Sequence, residues 1–545
     1  MSNGVMLTRQ RIDAMTAAGL WRDETILDYL AIAEREYPDQ AVITDYNSES
    51  QRETTLTYRN LIRYSRRIAG ALKSAGIGRG DVVAFQLPNW WQFVAIHVAC
   101  VRLGAISNPL MPIFRERELK FMLSFAETKA FFVPQSFRGF DYPAMVDALR
   151  ADLPTLQHVF VVNGESFDHA IMGRRWEDDY SQEALEADAL APNDLAELCY
   201  TSGTTGQPKG VLHTYNTLVA CLGPATSSLA IGPELVSLMA SPLAHQTGFL
   251  YGMLLPIAVG GRTVFQDIWD PAKALEPMVD QGVTMTMGST PFLADLSQSP
   301  HVDAFAPETL NTFICAGAPI PRILVQTATQ RLGARIVSGW GMSENGLVTS
   351  TLPQDAPEKV FETDGVPCEG MEVRIADDEG AALGTNEVGN LQVRGAANFV
   401  GYLKRPEAYD VDEEGWFNTG DIATMDSDGY IRITSRAKDI IIRGGENVPV
   451  VEVEELLYRH QAVQDAAIVA MPDARLGERG CLFVTLKADA AFDFAELQRY
   501  LETCQLAKNY WPERLEVIAE MPRTASGKIQ KFELRALAEN FTVDS

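Results

Sequence analysis

The sequence predicts an α/β fold: a large N-terminal domain of parallel sheets covered by helices, carrying a small β subdomain, and then a smaller α+β domain. Three observations predict it. At 545 residues the chain is too long for one core, so two or three domains are expected. From about residue 57 to 340, short apolar runs alternate with stretches of helical period, as when parallel strands are joined by helices. After about 360 the pattern changes to short strands separated by Gly and Asp turns.

Leu61, Ser65, Ile68 and Leu72 share one helical face, and Gly76 and Gly78 end that helix. A buried strand is expected over 82–87, a helix over 89–103 and a strand over 105–108. Further strands fall at 198–200, 235–240, 263–266, 284–287, 312–315 and 335–338, with helices at 271–281 and 321–332 between them. The β subdomain, about 360–435, includes strands at 390–394 and 430–434. Beyond Arg436 come a strand at 440–442, a helix at 452–459, strands at 466–470 and 482–486, and a helix at 494–504. That segment is roughly 110 residues, enough for its own core, so the expected domains are 1–437 and 438–545.

Apolar residues are 46% and charged residues 22%, a globular balance that argues against disorder. The net charge of −26 repels phosphates and anionic lipid, so nucleic acid and stable membrane insertion are not expected. An anionic substrate then needs a local positive pocket. Residues 1–20 lack the apolar core of a secretory signal, and no window approaches the ~18 apolar residues of a spanning helix. Seven scattered cysteines with no Cys-x-x-Cys suit reduced thiols in the cytoplasm. The oligomeric state is not fixed by the sequence, which is compatible with a homodimer.

The most informative stretch is Tyr200-Thr-Ser-Gly-Thr-Thr-Gly-Gln-Pro-Lys-Gly210. Thr201, Ser202, Thr204 and Thr205 supply hydroxyls, Gly203 and Gly206 allow close backbone approach, and Lys209 adds a charge, a set suited to phosphate oxygens. Most Gly/Ser/Thr runs are plain surface turns, but here a strand enters the loop and a lysine closes it. The spacing is not that of a Walker A loop.

With four further motifs, this loop resembles the adenylate-forming superfamily, which includes acyl-CoA synthetases, peptide-synthetase adenylation domains and firefly luciferase. Gly339-Trp-Gly-Met-Ser-Glu344 is similar to the family's aromatic-Gly-x-Thr-Glu signature, with Trp340 and Ser343 replacing Tyr and Thr. Trp416-Phe-Asn-Thr-Gly-Asp421 resembles the ribose-binding segment. The stretch from Tyr430 to Asn447, with Arg436, Lys438 and Gly444-Gly-Glu446, resembles the hinge and its following loop, with Ser435 where Gly is common. Pro522-Arg-Thr-Ala-Ser-Gly-Lys528 resembles the C-terminal lysine motif.

The resemblance implies an AMP-forming acid–CoA ligase that uses ATP, Mg²⁺ and coenzyme A, with a mobile C-terminal domain. It implies nucleotide contacts from Thr201, Ser202, Gly203, Thr204, Thr205, Lys209, Gly317, Ala318, Pro319, Gly339, Trp340, Gly341, Met342, Ser343, Asp421 and Arg436. Trp340 offers a flat face for adenine, Asp421 an acceptor for ribose, and Thr204 and Glu344 the Mg²⁺ contacts. Lys528 is expected to bridge carboxylate and α-phosphate, His245 to gate the thiol, Lys438 to act as pivot, and Gly444, Gly445 and Glu446 to replace the lysine loop in the second step. The Gly288–Pro291 and Cys315–Gly317 backbones are expected to line the acyl pocket.

No acidic residue occurs from Leu235 through Gln266, where amino-acid-activating relatives keep an aspartate, so an acid without an α-amino group is expected. Lys508-Asn-Tyr-Trp-Pro-Glu-Arg514 is similar to the medium-chain and cyclohexanecarboxylate–CoA ligase branch. Rival readings are an amino-acid or aryl-acid adenylating enzyme with another acceptor, a luciferase-like oxidase, and a non-catalytic acyl or nucleotide sensor.

Overall fold

The computed structural model describes residues 4–201, 208–303, 307–317, 320, 322–436, 439–443, 446–473, 475–524, 527–539 and 541. Two large sheets build the N-terminal part. One has six strands in the order Lys209–Thr214, Leu195–Thr201, Ile106–Pro109, Val82–Phe85, Ala130–Pro134 and His158–Val162, parallel except for the first pair. The other has nine. A parallel centre of Arg335–Met342, Thr312–Ala316, Met285–Gly288, Val236–Met239, Arg262–Gln266 and Ala41–Asn47 is flanked by antiparallel Gly346–Ser350 and Val366–Pro367 on one edge and Arg52–Thr57 on the other.

Sequence patterning missed Ala41–Asn47 and Arg52–Thr57, because Thr44, Asp45 and Asn47 break any apolar run. Asp45 is nonetheless buried. Its Oδ2 accepts the N–H of Trp91 at 2.8 Å, closing the N-terminus of helix Trp91–Leu103, where an orphan donor meets a carboxylate. That helix begins two residues later than expected, after Pro88 and the extended Trp90. It is buried along its whole length, as its Val, Ala, Ile and Cys content requires between two sheets. Helix Tyr58–Ser74 is capped by Thr57 Oγ1, buries Leu61, Ser65, Ile68 and Leu72, and gives way to Gly76 in a left-handed conformation.

The small β subdomain is a four-stranded antiparallel sheet, Met371–Ala376, Gly389–Gly395, Phe417–Met425 and Ile431–Arg436 in that order. The C-terminal part has its own five-stranded sheet, built around Val463–Asp473 and Gly477–Leu486 with Arg514–Val517 alongside. Its helices Val450–Tyr458, Phe494–Thr503 and Lys531–Ala538 cover that sheet with separate cores, one around Val453, Leu457, Leu482 and Leu497, the other around Met471, Phe483, Met521 and Leu534. No helix among the described residues is long and apolar enough to cross a membrane.

Candidate active site

The loop read as phosphate-binding is the tip of a hairpin. Thr201 ends strand Leu195–Thr201, and its Cα lies opposite Lys209, which opens strand Lys209–Thr214. Ser202, Gly203, Thr204 and Thr205 lie outside the described residues. Lys209 Nζ stands 4.8 Å from the centre of the Tyr402 ring, and the Tyr402 hydroxyl donates to Glu344 Oε1 at 2.6 Å. Tyr402 therefore bridges two residues expected at the site. Sequence reasoning missed it because a tyrosine in the apolar run 399–403 reads as core.

Gly339 to Met342 were expected in a loop after a strand ending at Ser338; instead the strand runs to Met342. Glycines suggested a break, yet here they let the neighbouring strand Gly346–Ser350 approach. A Cβ on Gly341 would fall 1.8 Å from Gly346 O. Ser343, Glu344 and Asn345 make the turn, with Asn345 Oδ1 accepting the Met342 N–H at 3.2 Å. The turn is anchored from two sides: Ser343 O accepts from His213 Nε2 at 2.8 Å, and Glu344 O accepts from Phe399 N at 2.7 Å. Glu344 is 5% exposed. One buried carboxylate with one oxygen oriented by a phenol fits Mg²⁺, which binds through one or two carboxylates and completes its shell with phosphates and water. Among the described residues no group of three His, Cys, Asp or Glu gathers as a metal site of the protein's own.

Trp340 was expected to offer a flat face to adenine. It is only 8% exposed, and its indole N–H donates to Asp421 Oδ2 at 2.9 Å. Asp421, expected as an acceptor for ribose, lies within strand Phe417–Met425 with its Cα opposite Arg436. The aromatic signature and the ribose carboxylate are thus one unit.

The carboxyl ends of the nine-stranded sheet face the C-terminal part. Ala316 lies opposite Gly339, and Gly288 opposite Cys315, so the segments after three strands end side by side. Gly317 has φ +95°, and a Cβ there would sit 2.8 Å from Lys528 Cε and 3.4 Å from its Nζ. The next contact agrees: a Cβ on Gly527 would be 3.1 Å from Ser289 Oγ. Thr524 N donates to Lys528 O at 2.8 Å, and Lys528 N donates to Thr524 Oγ1 at 3.1 Å, so the lysine extends from a tight, internally bonded turn. Its side chain lies over Gly317, in the crevice.

His245 is half-buried in the segment following strand Val236–Met239. Asn89 clamps that segment: its Nδ2 donates to Ser241 O at 2.9 Å, and its Oδ1 accepts from Leu243 N at 2.8 Å. Burial, with the nearby Lys528 charge, pushes the His245 imidazole down to about 4. It is neutral at physiological pH. Its Nδ1 accepts the Thr247 N–H at 3.3 Å, which leaves the ring proton on Nε2. A neutral ring beside the ammonium avoids stacking two positive charges where one carboxylate must bind.

Ala318, Pro319, Lys438, Gly444 and Gly445 lie outside the described residues. Glu446 opens strand Glu446–Val448 of the small sheet, paired with Arg443. The structure thus gathers Lys209, Glu344, Trp340, Asp421, Gly317, His245 and Lys528 around one crevice, assembled from both large sheets, the β subdomain and the C-terminal part.

Residues 30–403 match the family described as AMP-binding enzyme, and 452–528 match the AMP-binding enzyme C-terminal domain. The chain is 36% identical over 531 residues to the medium-chain fatty-acid–CoA ligase of Escherichia coli (strain K12), covering 96% of this chain and 92% of that one. It is 32% identical to the 2,3-dihydroxybenzoate-AMP ligase of Bacillus subtilis (strain 168), covering 95% and 94%. Among solved structures, ATP-bound MatB from Rhodopseudomonas palustris is similar with a TM-score of 0.84, at 25% identity and covering 95% of this chain and 99% of that one. Apo MatB, with the same identity and coverage, scores 0.74, so the present arrangement agrees better with the nucleotide-bound form. The chain belongs to the AMP-binding enzyme family.

Proposed function

We propose that this chain is an AMP-forming acid–CoA ligase acting on a medium-chain or alicyclic monocarboxylic acid. The observation that carries this reading is the Lys528 side chain lying over Gly317 in the crevice that also contains Lys209, Glu344 and His245. A carboxylate attacking the α-phosphorus of ATP builds negative charge between two anionic reactants. An ammonium already seated there stabilises it without reorganisation. The carboxylate oxygen–phosphorus bond forms, the bond to pyrophosphate breaks, and Thr201 through Lys209 hold the departing phosphates. Glu344, with Thr204, would hold Mg²⁺, which neutralises phosphate charge.

In the second step the CoA sulfur attacks the acyl carbon and AMP leaves. A thiol of pKa ~8.5 is a few per cent ionised at neutral pH, so no strong base is needed. For this step the C-terminal domain turns about Lys438, withdrawing Lys528 and presenting Gly444, Gly445 and Glu446, while Asp421 and Arg436 keep the ribose. Support for an uncharged acyl tail comes from the absence of acidic residues over 235–266 and from the buried Phe249, Leu250, Met253 and Leu254 after His245. The similarity to the dihydroxybenzoate ligase favours one second reading, an aryl acid. A cytoplasmic location is part of the proposal, supported by seven cysteines that are all free, six of them buried.

The test is AMP formation with ATP and CoA across straight-chain, cyclohexane and benzoic acids, with products identified by mass. Medium-chain or alicyclic thioesters are expected. AMP without thioester would assign another acceptor, and no AMP with any acid would reject the ligase reading.

A further inference from the structure

Strand Leu195–Thr201, which enters the phosphate loop, and the segment that ends in His245 belong to different sheets. Two side chains join them. Glu197 is fully buried, Gln246 is 3% exposed, and Gln246 Nε2 donates to Glu197 Oε2 at 3.0 Å. The remaining carboxyl oxygen of Glu197 and the amide oxygen of Gln246, Oε1 in both, are buried and have no partner among the described residues. Leaving two buried polar atoms unmet is costly, and two acceptors cannot satisfy each other. A proton on the carboxyl changes that, because a carboxylic acid has one O–H donor. Donated from Glu197 Oε1 to Gln246 Oε1, it completes a ring of two hydrogen bonds between acid and amide.

The surroundings favour the protonated form. Glu197 faces Cys199 on its own strand, and Tyr215 and Cys221 from the helix after the hairpin and its end. Its strand partners are His213 and Ser107, and Ser107 is bonded to His97. Burial holds His213 and His97 neutral, down to about 4 and about 3, and raises both thiols and the phenol, so none of these groups brings a compensating positive charge. Glu344, the further acid acting on Cys199, adds negative charge to the same region. Burial pushes the Glu197 carboxyl up to about 8, with the Gln246 bond working against it.

We propose that Glu197 is a positioning residue that stays a neutral carboxylic acid at neutral pH, closes a two-bond ring with Gln246, and so locks the His245 segment to the strand carrying the phosphate loop. Loss of the proton leaves carboxylate and amide oxygens opposed, and the lock opens. Because His245 adjoins Gln246, the step most exposed to this loosening is attack of CoA at the acyl carbon. The kinetic part of this inference rests on the ligase reading above.

The test compares wild type with Glu197→Gln, whose amide reforms both hydrogen bonds at any pH, and with Glu197→Ala, which forms neither. Thioester formation from supplied acyl-adenylate is measured from about pH 6.5 to about pH 9.5. The CoA thiol ionises alike in all three, so ratios cancel it. The wild-type to Gln ratio is expected to be flat near neutrality and to fall about tenfold on the alkaline side, while Ala is about tenfold slower throughout; the KM for ATP, read in a separate adenylation assay, is expected to be unchanged. Infrared difference spectra of wild type against Glu197→Gln, which need no acid substrate, are expected to show a protonated-carboxyl stretch at neutral pH that vanishes in alkali. A ratio independent of pH, or a Gln variant as slow as Ala, overturns the proposal, as does a folded protein lacking that band. Failure of the ligase reading would instead appear as absent AMP with the infrared band intact.

Discussion

Replacing Glu455 with Gln tests whether the closed arrangement is held by a specific contact. Glu455 lies on helix Val450–Tyr458 of the C-terminal part, and its Oε1 accepts from Arg432 Nη2 on strand Ile431–Arg436 of the β subdomain. The two side chains are 20% and 22% exposed. Exposed pairs contribute about 0–1 kcal/mol, and breaking a buried pair costs about 3–5 kcal/mol, so this intermediate burial gives about 1–2 kcal/mol. Glu455 is the better member to change, since Arg432 keeps Asp364 at 3.8 Å and is not stranded. A bias of that size shifts the balance between two domain arrangements about 5- to 30-fold. In the proposed turn about Lys438 the helix carrying Glu455 leaves strand Ile431–Arg436, so only the arrangement with Lys528 in the crevice benefits from the contact. In single-turnover quenched-flow, pyrophosphate release should therefore slow by up to that factor, while thioester formation from supplied acyl-adenylate holds or rises. Equal slowing of both half-reactions, or no change in either, would refute the latch.

Lys528→Ala should lower adenylation by about 10²–10³ and leave thioester formation from supplied acyl-adenylate largely intact; equal loss of both would refute the division of labour. Gly317→Ala imposes a side chain at φ +95° and places its Cβ 2.8 Å from Lys528 Cε, so adenylation should fall at least about tenfold while the second step is spared. Full pyrophosphate release by that variant would show that Lys528 does not work from its position over Gly317. For Glu197 the folded carboxyl keeps its proton up to about 8, whereas an unfolded glutamate releases it near ~4.3, so the folded state binds the extra proton between those values. Stability from this group is then full below the lower value and declines as pH rises through the window. Between about pH 5 and pH 7 wild type should lose roughly 3 kcal/mol more than Glu197→Gln. Parallel pH dependences in denaturant unfolding would count against it.

The parallel strands and their helices were legible because each is a local pattern: 312–315 and 335–338 are apolar runs between helical stretches, and they became Thr312–Ala316 and Arg335–Met342. What failed locally failed for a physical reason. Strand Ala41–Asn47 carries polar residues because Asp45 caps a helix from another layer, and Gly339 and Gly341 look like breaks because the glycine needed for close strand approach is the same residue used to end strands. The chemistry-bearing residues were readable as types. Their partners were not: Tyr402 is 58 positions from Glu344, Trp340 is 81 from Asp421, and Gln246 is 49 from Glu197.

Those three pairs have a common consequence. Each buries a carboxylate or carboxylic acid at 5% exposure or less and gives it a directional donor from a distant part of the fold. Hydrophobic packing alone would tolerate small slides of one sheet against another, because apolar contact has no preferred register. A hydrogen bond from Trp, Tyr or Gln to a buried carboxyl has one, and breaking it strands a polar group away from water. The crevice needs that precision because Lys528 arrives from a separate core and must meet atoms supplied by both large sheets at once. On this reasoning the acidic residues divide by their place: Glu344 and Asp421 lie where the nucleotide and its metal are proposed to bind, and Glu197, in the proposed ring with Gln246, holds the sheets in register.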